Sequence, residues 1–116
     1  MKKTPDLLKY LKYHGTEIMI PNQNRILDIL REAAPDLLAK YGVTRIGIFG
    51  SVARNQSTAE SDVDIVYEMR RPNLFTVVHL QAELERMLHF PVDLVRLGKR
   101  LPPLMKKRID QEGIYV

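Results

Sequence analysis

Residues 43–67, VTRIGIFGSVARNQSTAESDVDIVY, decide how this chain is read. VTRIGIFG, residues 43–50, is rich in β-branched and apolar side chains and predicts a strand. SDVDIVY, residues 61–67, predicts a second, with Val63, Ile65 and Tyr67 on one face and Asp62, Asp64 and Val66 on the other. Between them, Gly50-Ser51 stands where the first strand ends. Two acids one residue apart in an apolar run are costly if buried without partners. A cation bridging them to phosphate would repay that cost.

Outward from this stretch the punctuation is clear. Asn22 or Asn24 caps a helix whose apolar residues, Ile26, Leu27, Leu30, Ala33, Ala34, Leu37, Leu38 and Tyr41, recur at helical spacing; Pro35 is expected to kink or divide it near Ala34, and Gly42 to stop it. After Pro72-Asn73 an amphipathic helix is predicted over about 74–88, then a strand in PVDLVRL (91–97), a helix over about 102–112 and a short terminal strand in GIYV. This order predicts a small α/β (α+β) domain over 21–116, with helices packed on a mixed sheet. Residues 1–20 read as an appendage, with a short helix expected over Asp6–Tyr13.

Asp62 and Asp64, side by side on a strand face, can hold two divalent cations as phosphoryl-transfer sites require. Mg²⁺ suits an all-oxygen set and keeps substrate phosphates in its shell. Asp93 is the only acid of the 91–97 strand and would lie about 5 Å away if the strands pair. There it could complete one metal's shell and orient an attacking hydroxyl. Gly50 lets the backbone approach a ligand closely, and Ser51 would open a short helix with N–H groups and a hydroxyl for phosphate. Arg54 has two roles open to it: touching a triphosphate, or pairing with an acid to fix the loop.

Composition narrows the rest. The 116 residues are 45% hydrophobic and 28% charged, the balance of one ordinary globular domain. The chain has no Cys, which removes disulfides and thiolate metal sites. No apolar run is long enough for a membrane span, and MKKTPDLLKYLKYHG lacks a signal-peptide core, so a cytoplasmic location is expected. Of the net +4 charge, Arg96, Lys99, Arg100, Lys106, Lys107 and Arg108 form one acid-free segment. It fits nucleic acid, an acidic partner, a triphosphate or a solvated face. No aromatics interleave with it, so direct nucleic-acid binding is not favoured.

Gly50-Ser51, ten residues, then Asp62-Val63-Asp64 resembles the signature of the polymerase-beta-like nucleotidyltransferase superfamily. GSVAR, SDVDIV and VDLV resemble its smallest members, the minimal nucleotidyltransferases, over about residues 24–116. The resemblance implies an Mg²⁺-dependent transfer of AMP from ATP to a hydroxyl, a tyrosine of a HEPN-type toxin, with the chain acting as antitoxin. By position it matches Gly50 and Ser51 to the phosphate-binding turn, Asp62 and Asp64 to the metal pair and Asp93 to the third carboxylate. Asn55 stands where a Gly often follows the Ala-Arg pair, a place Asn tolerates in left-handed backbone. Transfer to a small molecule or an RNA end, and steric inhibition of a partner without catalysis, are the alternatives. Assembly with the toxin or with a second copy stays open.

Overall fold

A computed structural model describes residues 20–116. The expected short helix over Asp6–Tyr13, and the appendage up to residue 19, lie outside the described residues. Helix α1 spans Gln23–Tyr41, strand β1 Val43–Phe49, the one-turn helix α2 Gly50–Ala53 and strand β2 Val63–Met69. Helix α3 follows at Leu74–Leu88, strand β3 at Val92–Arg96, helix α4 at Pro103–Glu112 and strand β4 at Ile114–Tyr115.

The local chemistry explains these limits. Asn22 caps α1, its side chain accepting from the Arg25 N–H at 3.0 Å. Gly42, at φ 72°, ends the helix in left-handed backbone and returns its N–H to the Leu37 and Leu38 carbonyls. Of the two outcomes expected of Pro35, a kink or a division, the division does not occur: α1 runs unbroken from Gln23 to Tyr41. Proline removes one backbone donor, but Leu30 before it and Leu37 after it are both buried in the same core, and that burial keeps both halves helical. Asn73 caps α3 by accepting from the Thr76 N–H at 2.9 Å.

The sheet is mixed, in the order β3-β2-β1-β4. β1 pairs antiparallel with β2 and with β4, while β2 and β3 run parallel and are joined through α3. Alternation along the strands sorts side chains to two faces. One face, with Ile46, Ile48, Val63, Ile65 and Tyr67, meets Ile26, Leu30 and Leu37 of α1 and Leu80, Leu84 and Leu88 of α3. The other has a much smaller cluster, Phe49 and Val66 against Ile109 of α4. Among the described residues no helix is long and apolar enough to cross a membrane.

Candidate active site

The face with the smaller cluster among the described residues carries the candidate carboxylates. β2 sends Asp64 to the same side as Val66, and the parallel register sets Asp64 opposite Asp93 of β3. Both are half-buried. The expectation that Asp93 lies one strand over is met in detail. Asp62 sits one residue before β2 begins, although the Val63 N–H already donates to the Pro91 carbonyl at 2.9 Å and continues the pairing to the strand's first residue. Asp62 therefore flanks the ladder rather than lying within it.

Two residues that the sequence did not single out fix where Asp93 stands. Val92, at the edge of the sheet, donates its N–H to Glu85 Oε2 at 3.0 Å, and its carbonyl accepts from Gln81 Nε2 at 3.0 Å. Both partners come from α3. The buried Leu80, Leu84 and Leu88 seat that helix on the sheet, so the helix sets the height of β3. Spacing on the helix face is the only hint of this in the sequence, since Gln81 and Glu85 are four residues apart.

Gly50 follows β1 directly, and its neighbour Phe49 pairs with Asp64 across the ladder. At φ 73° it takes the left-handed backbone that glycine adopts without strain, and a Cβ there would collide with the Asp64 carboxylate. The close approach seen here is to the Asp64 carboxylate, whereas the one expected from the sequence was to a ligand. Ser51 is half-buried beside it and its carbonyl accepts from the Gln56 N–H at 2.8 Å. Asn55, at φ 57°, takes the left-handed conformation expected of it. The loop is tied down by Ser57 Oγ donating to the Pro21 carbonyl at 2.8 Å and Gln23 Nε2 donating to the Ala53 carbonyl at 2.8 Å. Ser61 Oγ accepts from the Thr58 N–H at 2.8 Å, the turn chemistry anticipated for this segment.

Of the two roles open to Arg54, the ion pair is the one present: its guanidinium donates to Glu112 Oε1 at 2.8 Å and to Gln56 Oε1 at 3.1 Å. The basic segment is largely solvated, with Lys106 paired to Asp110 at 2.7 Å.

Among the described residues no three His, Cys, Asp or Glu side chains converge into a cluster that could hold a metal ion. The donor set nonetheless fits Mg²⁺. It is all carboxylate, and Mg²⁺ takes one or two carboxylates plus waters and substrate phosphates rather than a closed protein cage.

Residues 32–116 match the family described as Polymerase beta, Nucleotidyltransferase. The chain belongs to this nucleotidyltransferase family. Protein adenylyltransferase MntA of Thermococcus cleftensis is 35% identical over 92 residues, covering 78% of this chain and 92% of that protein. A Methanocaldococcus jannaschii relative, provisionally named a protein adenylyltransferase, is 42% identical over 94 residues, 80% of this chain and 96% of its own. A solved minimal nucleotidyltransferase, so described provisionally, superposes with a TM-score of 0.66 at 31% identity over 80% of this chain and 94% of that one. A crystal structure of a toxin–antitoxin assembly of MntA reaches 0.56 at 25% identity, over 82% and 71%. The fold read from the sequence, a mixed sheet with helices in the polymerase-beta-like arrangement, is the fold of this nucleotidyltransferase.

Proposed function

We propose that the chain transfers AMP from ATP to a hydroxyl, a tyrosine of a HEPN-type toxin, and acts as that toxin's antitoxin. The observation that carries this reading is Asp64 in register with Asp93 and packed against the Gly50 turn. Carboxylates and a phosphate-accepting turn meet there at one open edge. The names of the relatives, protein adenylyltransferases and an antitoxin in complex with its toxin, support the substrate and the partner.

Asp62 and Asp64, with Asp93, would hold Mg²⁺ beside the turn. Bound there, the ion would offset charge developing on the triphosphate and favour the ionised acceptor. Gly50 admits the phosphates close to the backbone, and the Ser51 hydroxyl donates to one of their oxygens. Asp93 accepts the proton from the acceptor hydroxyl, whose oxygen forms a bond to the α-phosphorus as the bond to pyrophosphate breaks. A tyrosine hydroxyl, with an ordinary pKa near 10, is mostly protonated at neutral pH and needs such a base.

Incubating the chain with its HEPN-type partner, ATP and Mg²⁺ should add the mass of AMP to the partner. Asp93→Asn should keep nucleotide affinity and lose about 10²-fold or more in transfer, the usual share of a general base. Full protection from the toxin by an Asp93→Asn protein, with no mass added, would sink the enzymatic account in favour of steric inhibition.

A further inference from the structure

Glu112 ends α4, and its carboxylate reaches back to the turn of Gly50 and Ser51. One oxygen, Oε1, accepts from the Gly50 N–H at 3.0 Å and from the Arg54 guanidinium at 2.8 Å, with Arg108 Nη2 3.8 Å away. The Glu112 side chain is only 17% exposed, whereas Arg54 is 40% and Arg108 48% exposed. A carboxylate so far out of water is costly unless charge-assisted hydrogen bonds offset the loss; the Gly50 N–H and the Arg54 guanidinium supply them here, and Arg108 of α4 adds only a longer ion pair. Its backbone is held on both sides. The Gly113 N–H donates to the Ile109 carbonyl at 2.7 Å, and Ile114 pairs with Ile48 in the sheet. Gly50 therefore stands between two acids, Asp64 against its Cα and Glu112 on its N–H.

We infer that Glu112 is a positioning residue for the nucleotide-binding turn. It holds the Gly50 N–H and the Arg54 guanidinium so that Ser51 and Asp64 face one substrate, and it does not itself touch that substrate. The inference rests on the reading that this turn receives the triphosphate. The opposite role would be a carboxylate sitting in a phosphate's place and leaving when nucleotide binds. The contacts favour positioning: the Gly50 N–H and the Arg54 guanidinium both already use the Glu112 carboxylate as acceptor, and its departure would leave both without it.

The two roles predict opposite signs. Positioning requires that Glu112→Ala weaken binding of a fluorescent ATP analogue with Mg²⁺ by about tenfold, the scale of one charge-assisted hydrogen bond. The KM for ATP should rise with kcat little changed, and Glu112→Gln, which keeps an acceptor for the Gly50 N–H, should recover part of the loss. Combining Arg54→Ala with Glu112→Ala should cost no more than the worse single change, because the two act as a unit. In the nucleotide-free protein, Gly50 amide exchange should quicken in Glu112→Ala while the Ile48 and Ile65 amides stay protected. Tighter nucleotide binding in Glu112→Ala would overturn positioning in favour of a displaced plug. Unchanged affinity with unchanged Gly50 exchange would overturn it outright. Should Glu112→Ala not fold, the isosteric Glu112→Gln decides by the same readouts. A wild-type chain that binds no ATP with Mg²⁺ refutes the functional reading instead, and Gly50 exchange still judges the clamp.

Discussion

The two faces of the sheet divide stability from chemistry. On one, α1 and α3 cover Ile46, Ile48, Ile65 and Tyr67 completely, and the side chains there are all apolar or aromatic. On the other, among the described residues, Ile109 of α4 packs on Phe49 and Val66 with Val95, Leu97 and Tyr115 partly buried beside them, and the same strands set Asp64 and Asp93 in register. Like charges directly opposite on neighbouring strands are unfavourable for the sheet. The covered face must supply the stability that lets the open face keep two carboxylates in register. Strand alternation makes this possible within three residues of β2: Asp64 belongs to the site, Ile65 to the large core and Val66 to the small one.

If this division is right, substitutions one residue apart should fail in different ways. Asp64→Asn should lower AMP transfer by about 10²–10³-fold or more, the scale seen when a group aimed at developing charge is lost. Its melting temperature should hold or rise, because one of two facing charges is gone. Loss of fold in Asp64→Asn would erase the distinction. Ile65→Ala should do the reverse. It removes a fully buried side chain, which costs about 2–5 kcal/mol in unfolding free energy read by urea titration. At temperatures where the variant remains folded, its nucleotide affinity should match the wild type.

How far the sequence reveals each face follows from what holds it. Helix α3 begins and ends where its periodicity and the Asn73 cap put it, and Gly42 stops α1, because short-range rules govern both. The strand alternation that separates Asp64 from Ile65 is likewise local, so the face each takes and the register of Asp64 with Asp93 were legible. Pro35 does not end α1, because core burial on both sides outweighs one missing donor. Glu112 was not legible as a site residue: it lies 62 positions from Gly50, and only the packing of α4 brings it back. A faint signal did exist. Lys106, Lys107 and Arg108 precede Asp110 and Glu112 along α4, the reverse of what the helix dipole favours. An acid kept at the wrong end of a helix points to a partner elsewhere.

A finer cut within the open face separates the turn from the carboxylates. Ser51→Ala should reduce transfer by about 1–3 kcal/mol in kcat/KM, the worth of one hydroxyl donor to a charged oxygen, and so less than Asp64→Asn. Steady-state kinetics at varied ATP would read it. A folded Ser51→Ala protein as inactive as Asp64→Asn would mean the hydroxyl does more than cradle phosphate.

The smallest expected effect lies on the covered side, where a carboxylate is handled quite differently. Glu83 on α3 is 12% exposed, with Lys40 Nζ at 3.1 Å and Arg86 Nη2 at 3.4 Å from Oε1. Its carboxyl is held below the ordinary Glu value of 4.5, first by a hydrogen bond from the Tyr41 hydroxyl and then by Lys40 and Arg86, with burial opposing them. Lys40, itself exposed, also pairs with Asp36 at 3.2 Å, so the cluster joins α1 to α3 by opposite charges rather than like ones. Because the folded-state pKa is depressed, protons bind the unfolded chain more readily than the folded one. The stabilisation from Glu83 is therefore complete above the unfolded carboxylate range near 4.5 and is lost as the pH falls through the lower folded value. Glu83→Gln should remove that portion of the acid limb while leaving AMP transfer at neutral pH unchanged. Thermal melts of both proteins from pH 7 to pH 3 give the comparison. Superimposable melting curves after a constant offset would show that Glu83 does not titrate differently in the folded chain. A convergence of the two curves toward low pH is the outcome that sets this neutralised acid apart from the facing pair on the open side.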